Sequence, residues 1–284
     1  MTWQTYVAVF SVVVAVVALI VAAVTRVAVG PAACRETATL RAFMDTGCSP
    51  HACSTKPGPQ AIPRVIYRTG PSHSALTVDG PTKRAWDFTA HNNPEYAQVF
   101  FDDNEMDAFM KTALHGKVYK AFKMLVPGAA KADLFRYCIM YERGGVYLDN
   151  KSGAHRLCSL IRPHDKMLVS TWGHTFFDNL KRVSYGELEQ WWLASEPQNP
   201  VMFDVIQKTV KNIEANTLSG GDSRTNTLKT TGPLHFTTIV DKHLRHSNGD
   251  VRLVCSDGNG TMIYDVQGGH WSGHGYSGLK SIFV

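Results

Sequence analysis

Charged residues that could bind a polar ligand are concentrated between Lys131 and Lys151. Asp133 and Arg136 lie three residues apart in a segment whose apolar residues recur at helical spacing, so they share one face of a helix predicted over residues 128–141. An acid and a base on one helix face can hold a single ligand together.

A short strand is predicted directly after this helix. Gly144 and Gly145 stand where a helix ends on residues with positive φ, and the apolar residues 146–148 then form a strand that delivers Asp149 to its carboxyl end. Because open α/β sheets bind ligands at that edge, Asp149 is expected to meet the same ligand as Asp133 and Arg136.

These two segments resemble the retaining glycosyltransferases with a DXD motif, a family that includes yeast-type α-1,6-mannosyltransferases and sphingolipid mannosyltransferases. The matching motifs are A-D-L-F-R-Y at residues 132–137 and G-G-V-Y-L-D at residues 144–149. The resemblance implies a GT-A-like, Rossmann-type α/β fold that transfers a hexose (mannose, galactose, glucose or GlcNAc) from a nucleoside-diphosphate sugar to a glycan or lipid hydroxyl.

The resemblance also implies roles for individual residues. Asp133 and Arg136 would hold hydroxyl groups of the donor sugar, and Tyr147 would pack beside it. Asp149 would meet the ribose and a divalent metal, Mn²⁺ or Mg²⁺, on the diphosphate. The reaction requires such groups, because positive charge stabilises the departing diphosphate and carboxylates hold the metal that supplies this charge. Asp133, Arg136 and Asp149 are therefore the candidate catalytic residues.

Lys151 occupies the position of the family's second motif carboxylate, so the chain has D-N-K at residues 149–151. In one alternative, Asp149 holds the metal with water and a later residue, for which His270 is a candidate. In another, the Lys151 ammonium compensates the diphosphate directly. Two further alternatives are a catalytically silent protein that binds a nucleotide sugar or glycan, and a sugar-nucleotide hydrolase.

Weaker matches extend through the rest of the chain. The segment I-P-R-V-I-Y-R-T at residues 62–69 resembles the family's first strand, and Thr69 and Gly70 are expected to approach the nucleotide because a glycine lets the backbone come close. Residues 96–103 predict a second strand, followed by a helix from Asn104 onward that this asparagine caps, and Asp102 and Asp103 are expected to be turn and cap residues instead of catalysts. T-G-P at residues 231–233 either lines the acceptor side or is an ordinary turn.

The amino-terminal segment predicts attachment to a membrane. Residues 6–24 are apolar except for Ser11, and this segment is long enough to span a bilayer. A secretory signal peptide is the rival interpretation. We therefore expect an anchor at residues 1–28, a stem rich in proline and glycine at residues 29–60, and a catalytic domain at residues 61–284.

Charge and cysteine content bear on the compartment. The net charge of +5 is modest and gives no indication of nucleic-acid binding. Arginines that follow the apolar segment favour a cytosolic catalytic domain, whereas the resemblance favours a lumenal domain in the Golgi or elsewhere in the secretory pathway, which we prefer. In an oxidising lumen Cys48 and Cys53 are close enough to pair, and Cys138 is expected to be a buried thiol.

Overall fold

The computed structural model describes residues 58–114, 116–172, 183–215, 223–246, 249–254 and 261–264. The strands are β1 (Val65–Thr69), β2 (Ala97–Phe101), β3 (Gly145–Leu148), β4 (Gly153–Ala154), β5 (Met167–Ser170), β6 (Trp192–Ser195), β7 (Arg252–Val254) and β8 (Met262–Ile263). The helices are α1 (Pro81–Asn92), α2 (Asp103–Thr112), α3 (Gly116–Met124), α4 (Gly128–Arg143), α5 (Leu157–Leu160), α6 (Pro200–Glu214), α7 (Ser223–Thr230) and α8 (Pro233–His246), with a 3₁₀ turn at His73–Leu76.

The predicted anchor and nearly all of the predicted stem lie outside the described residues, as do Cys48, Cys53 and His270. Among the described residues, no helix has both the length and the apolar character needed to cross a membrane.

Six strands form one mixed sheet in the order β2-β1-β3-β6-β5-β7, and β4 pairs with β8 in a separate two-stranded sheet. β1 is parallel to β2 and β3, and β5 is parallel to β7, while β6 is antiparallel to both of its neighbours. Five carboxyl ends and the amino end of β6 therefore meet at one edge. The predicted α/β class is confirmed, with a sheet that is mostly parallel.

Apolar side chains cover both faces of this sheet. In β3, Val146 and Leu148 pack in one hydrophobic cluster with Ile66 of β1, while Tyr147 packs in the other, which also contains Phe135 of α4. Successive side chains of a strand point to opposite faces. Tyr147 therefore lies on the same face of the sheet as α4.

The predicted helix and the two glycines at its end are confirmed. α4 ends at Arg143, and Gly144 and Gly145 adopt φ values of +63° and +102°. A Cβ atom on Gly144 would lie 2.6 Å from the Pro197 nitrogen, and one on Gly145 would lie 2.6 Å from the Val65 carbonyl oxygen. The glycines are thus required by conformation and by close packing, and they set the exit of α4 into β3.

The prediction of Asn104 as the cap of the second helix was wrong by two residues, whereas the expected turn or cap role of Asp102 is confirmed. Asp102, and not Asn104, is the N-cap of α2: its Oδ1 accepts hydrogen bonds from the backbone N–H groups of Asn104 and Glu105. The Glu105 carboxylate in turn accepts one from the Asp102 N–H. This capping box satisfies the free N–H groups from both directions, which asparagine at position 104 could not do.

Gly144→Ala tests the connection between α4 and β3. Positive φ and overlap with the chain at Pro197 should together lower the free energy of unfolding by about 2–4 kcal/mol. The matched control is Gly116→Ala, since a Cβ there meets nothing within 4 Å. Urea denaturation followed by tryptophan fluorescence measures both variants, and equal stabilities would show that Gly144 is not required.

Candidate functional site

A cavity of about 720 Å³ opens at the carboxyl edge of the sheet. Its floor is formed by residues that follow β1, β2, β3 and β5 and by residues that precede β6, and one wall is formed by α4. Helix α7 contributes a second wall. The lining includes Thr69, Gly70, Asp133, Arg136, Tyr147 and Asp149, together with Trp172, Glu187, Gln190, Trp191, Arg224 and Tyr264.

Arg136 bridges two carboxylates in this cavity. Its Nη2 lies 3.2 Å from Asp133 Oδ1 and 3.2 Å from Asp149 Oδ1. The side chains of Asp133 and Arg136 are only 8% and 7% exposed, while that of Asp149 is 33% exposed. Asp133 and Arg136 do share one helix face, as predicted, and the pair is buried at the cavity instead of lying on an ordinary helix surface.

Asp133 has a second partner. Its Oδ2 accepts a hydrogen bond of 2.8 Å from the Thr231 hydroxyl. Burial raises the pKa of Asp133 to about 6, although Arg136 and this hydrogen bond act in the opposite direction. Since the folded-state pKa lies above the unfolded value, this group's contribution to stability is present below the unfolded pKa and is lost as pH rises through about 6. A carboxyl group whose pKa is raised in this way by burial, at the expense of folding stability, is typical of functional sites.

Arg136 is held in place from three other directions. Its Nη1 donates to the Gln190 carbonyl at 2.5 Å, its Nε donates to the Ala132 carbonyl at 3.4 Å, and its guanidinium lies 4.6 Å from the centre of the Tyr147 ring. Tyr147, only 1% exposed, thus supports Arg136 from below. The neighbouring Tyr147, Asp149 and Asp133 raise the pKa of Arg136 despite its burial, so its charge is permanent.

The loop that carries Asp149 rests on a buried arginine. Arg68 is fully buried, and its Nη1 donates to the carbonyls of Ser152 at 2.5 Å, Asp149 at 3.1 Å and Asn150 at 3.5 Å. Its Nη2 donates to the Thr89 hydroxyl at 2.8 Å. Arg68 therefore joins β1 and α1 to the loop after β3, a role that the sequence did not reveal.

Thr69 and Gly70 line the cavity at the end of β1, where the sequence placed them. The approach of the nucleotide to Gly70 stays a prediction, and the structure shows a second reason for the glycine. A Cβ on Gly70 would lie 2.9 Å from the Phe100 ring and 3.2 Å from Asn150 Nδ2. The small residue thus lets the loop after β3 approach β1 closely.

Three aromatic side chains form the part of the lining near β5 and β6. The ring centres of Trp191 and Tyr264 are 5.1 Å apart, and those of Trp172 and Tyr264 are 6.4 Å apart. We call Trp172, Trp191 and Tyr264 the aromatic wall. Trp191 is 6% exposed, and its Nε1 has no hydrogen-bond partner among the described residues.

The part of the chain that carries Asp133, Arg136 and Asp149 is similar to a known protein family. Residues 82–168, which include α4, β3 and Asp149, match the family model described as glycosyltransferase sugar-binding region containing DXD motif. The predicted resemblance is confirmed.

Two curated relatives match this chain over longer ranges. The initiation-specific alpha-1,6-mannosyltransferase of Schizosaccharomyces pombe is 23% identical over 211 residues, covering 66% of this chain and 50% of the relative. The mannosyl phosphorylinositol ceramide synthase CSH1 of Saccharomyces cerevisiae is 24% identical over 208 residues, covering 69% and 48%. The chain spans about half the length of these relatives. It is thus related to named glycosyltransferases, as the sequence predicted.

Solved structures give weaker similarities. The PaToxG glycosyltransferase superposes with a TM-score of 0.49 at 15% identity, over 74% of this chain and 78% of that one. A glycosyltransferase involved in the glycosylation of the major capsid of PBCV-1 gives a TM-score of 0.32 at 7% identity, over 67% and 80%.

Asp149 is the one carboxylate of the D-N-K motif, so a divalent metal there would need further ligands. Asp149 Oδ1 is already paired with Arg136, and the group of three potential ligands found among the described residues is His73, Asp102 and Glu105. That group is largely occupied, since His73 Nε2 lies 2.6 Å from Glu105 Oε2 and both carboxylates cap α2. Metal binding by Asp149 stays a prediction.

Lys151 lies in the turn after Asp149 but is not among the residues that line the cavity. Its expected contact with the diphosphate also stays a prediction. Sequence reasoning missed Glu187 and Gln190, which precede β6, and Arg224 on α7, because neither segment carries a recognisable motif. Thr231 belongs to the T-G-P segment. Its hydroxyl donates a hydrogen bond to Asp133, so this segment does more than form a turn.

Arg136→Met tests the buried charge cluster. Removing the cation leaves Asp133 buried without its partner, so we expect the free energy of unfolding to fall by about 3–5 kcal/mol at pH 7.5. The loss should be smaller at pH 5, since Asp133 is then largely protonated. The exposed Arg84 supplies a control, and Arg84→Met should change stability by less than about 1 kcal/mol. An Arg136 variant as stable as the wild type at both pH values would contradict this description.

Proposed function

We propose that the protein is a membrane-anchored retaining glycosyltransferase with a GT-A-like, Rossmann-type catalytic domain over residues 61–284. It moves a hexose from a nucleoside-diphosphate sugar to a hydroxyl group of a glycan or glycolipid. The observation that carries the proposal is the cluster of Asp133, Arg136 and Asp149 at the carboxyl edge of the sheet, within the region that matches the sugar-binding family model. The names of the curated relatives make mannose the first donor sugar to test.

The donor site would be assembled from the residues at the ends of β1 and β3 and on α4. Asp133 and Arg136 accept and donate hydrogen bonds to sugar hydroxyls, since together they offer both types of group. Asp149 is the more exposed carboxylate of the cluster and contacts the ribose, while Thr69 and Gly70 border the nucleotide. Tyr147 keeps the Arg136 guanidinium oriented from behind.

In the proposed reaction the bond between the anomeric carbon and the diphosphate oxygen breaks, and its electron pair leaves with the diphosphate. The acceptor oxygen forms a bond to the anomeric carbon on the face that the diphosphate leaves. The acceptor proton passes to the departing phosphate, which therefore acts as the base. No step is assigned to a metal, and no protein nucleophile is required.

The aromatic wall supports a sugar as the acceptor. Trp172, Trp191 and Tyr264 line the cavity on the β5 and β6 side, whereas the donor residues lie on the β1 and β3 side. Aromatic rings pack well against the apolar C–H face of a sugar, and an indole N–H can donate to a hydroxyl group. This arrangement favours a glycan or glycolipid head group over a simple lipid alcohol.

A disulfide supports the proposed compartment. Cys158 is disulfide-bonded, whereas Cys138 is a buried free thiol, as expected. Structural disulfides persist in oxidising compartments and are rare in the cytosol. Together with the apolar residues 6–24, this favours a lumenal catalytic domain in the Golgi or a neighbouring secretory compartment.

Turnover with a panel of donors tests the proposed function. The full-length protein, in detergent, is incubated with UDP- and GDP-linked hexoses, with and without an oligosaccharide acceptor, and in manganese or in chelator. We expect nucleotide release from one donor, stimulated by the acceptor, and a product whose anomeric configuration is retained by NMR. Asp149→Ala should reduce the rate by about a hundredfold or more, because it removes a group that contacts the donor.

Asp79→Ala is the matched control, since Asp79 is 85% exposed and does not line the cavity. An Asp149→Ala protein with full activity would overturn the assignment of the site. Nucleotide release at the same rate with and without an acceptor would indicate a sugar-nucleotide hydrolase instead. Donor binding without release, in a protein with native circular dichroism, would indicate a catalytically silent binding protein.

A further inference from the structure

The cavity contains more acidic than basic side chains. Asp103, Asp133, Asp149 and Glu187 line it, and its lining includes two guanidinium groups, those of Arg136 and Arg224. An anionic diphosphate that entered such a cavity would be repelled unless a cation met it, and charge-assisted hydrogen bonds from arginine are a common means of doing so.

Arg136 is already committed to other partners. It is paired with two carboxylates, donates to the Gln190 carbonyl and stacks on Tyr147. Its charge is therefore offset before a ligand arrives. The guanidinium that is available for a phosphate must come from elsewhere in the lining.

Arg224 meets this requirement. It is exposed, it lines the cavity from the first turn of α7, and no hydrogen bond or ion pair joins it to another described residue. Thr227 and Leu228, three and four residues later, line the cavity as well. Residues at this spacing share one helix face, so the side chain of Arg224 belongs to the face that α7 presents to the cavity.

The same helix face leads to the residues that would hold the sugar. The Thr231 N–H bonds to the Thr227 carbonyl at 3.0 Å, which continues the helical pattern, and the Thr231 hydroxyl bonds to Asp133. Thr231 lies seven positions after Arg224, so the two backbones are roughly 10 Å apart along the helix axis. That separation is comparable with the length of a hexose joined to a diphosphate.

We propose that Arg224 binds the diphosphate of the donor through its guanidinium while the sugar lies at Asp133 and Arg136. The inference rests on the proposed function and assigns one part of the donor to one residue. When the bond to the anomeric carbon breaks, the oxygen that receives the electron pair gains negative charge, and Arg224 stabilises it. α7 thus links charge compensation at one end to sugar binding at the other.

Nucleotide binding to the full-length protein tests the role of Arg224. Isothermal titration with UDP and GDP, and with the nucleosides uridine and guanosine, is carried out in manganese and in chelator. We expect Arg224→Gln to weaken binding of the preferred nucleoside diphosphate about tenfold or more, since a bidentate charge-assisted contact is lost. Binding of the matching nucleoside should not change, and Arg224→Lys should restore part of the lost affinity.

Lys229→Gln provides the matched control, because it removes the same charge from the same helix at a residue outside the cavity lining. It should leave binding within about twofold of the wild type. Equal affinities of wild type and Arg224→Gln for the nucleoside diphosphate would overturn the inference while leaving the proposed function intact, and so would an equal loss for nucleoside and nucleotide. A wild-type protein that binds neither UDP nor GDP would overturn both.

Discussion

The buried contact of Arg136 with Asp133 and Asp149 is the interaction on which the rest of the site depends. The buried carboxylate of Asp133 and the buried guanidinium, beside the partly exposed Asp149, are stable only when each is paired and hydrogen-bonded. The structure meets this demand with groups from four parts of the chain: the Thr231 hydroxyl after α7, the Gln190 carbonyl before β6, the Tyr147 ring of β3 and the Arg68 guanidinium beneath the Asp149 loop. Fold and site are therefore coupled, because the same contacts that satisfy the charges also fix α4, α7 and β3 around one cavity.

The local elements around the motif could be predicted from sequence because their signals are local. The helical spacing of Asp133 and Arg136, the two glycines with positive φ and the short apolar strand before Asp149 are each determined by neighbouring residues, and all three are confirmed. The prediction of Asn104 as the cap of α2 was wrong by two residues. Asp102 and Asn104 are both good capping residues, and only the reciprocal bond with Glu105 decides between them.

The surroundings of the site could not be predicted, because they depend on contacts between residues far apart in the chain. Arg68 and Ser152 are 84 residues apart, and Asp133 and Thr231 are 98 residues apart. Nothing in the sequence distinguishes a buried arginine that supports a loop from one that faces a ligand. Arg224 was overlooked for the same reason: α7 carries no motif, and its position over the cavity follows from the packing of α7 against α8 and α6.

In the proposed donor site, Asp133 binds the donor as an ionised carboxylate within the buried cluster. The most direct measurement is the pH dependence of donor-sugar nucleotide affinity, taken by isothermal titration for the wild type and for Asp133→Asn. Because burial raises the pKa of Asp133 to about 6, wild-type affinity should be constant above neutral pH and should fall as the pH drops through about 6. The Asp133→Asn protein should bind more weakly and should lack this titration. An Asp133→Asn protein that binds the donor as tightly as the wild type, with the same pH profile, would rule out this role of Asp133.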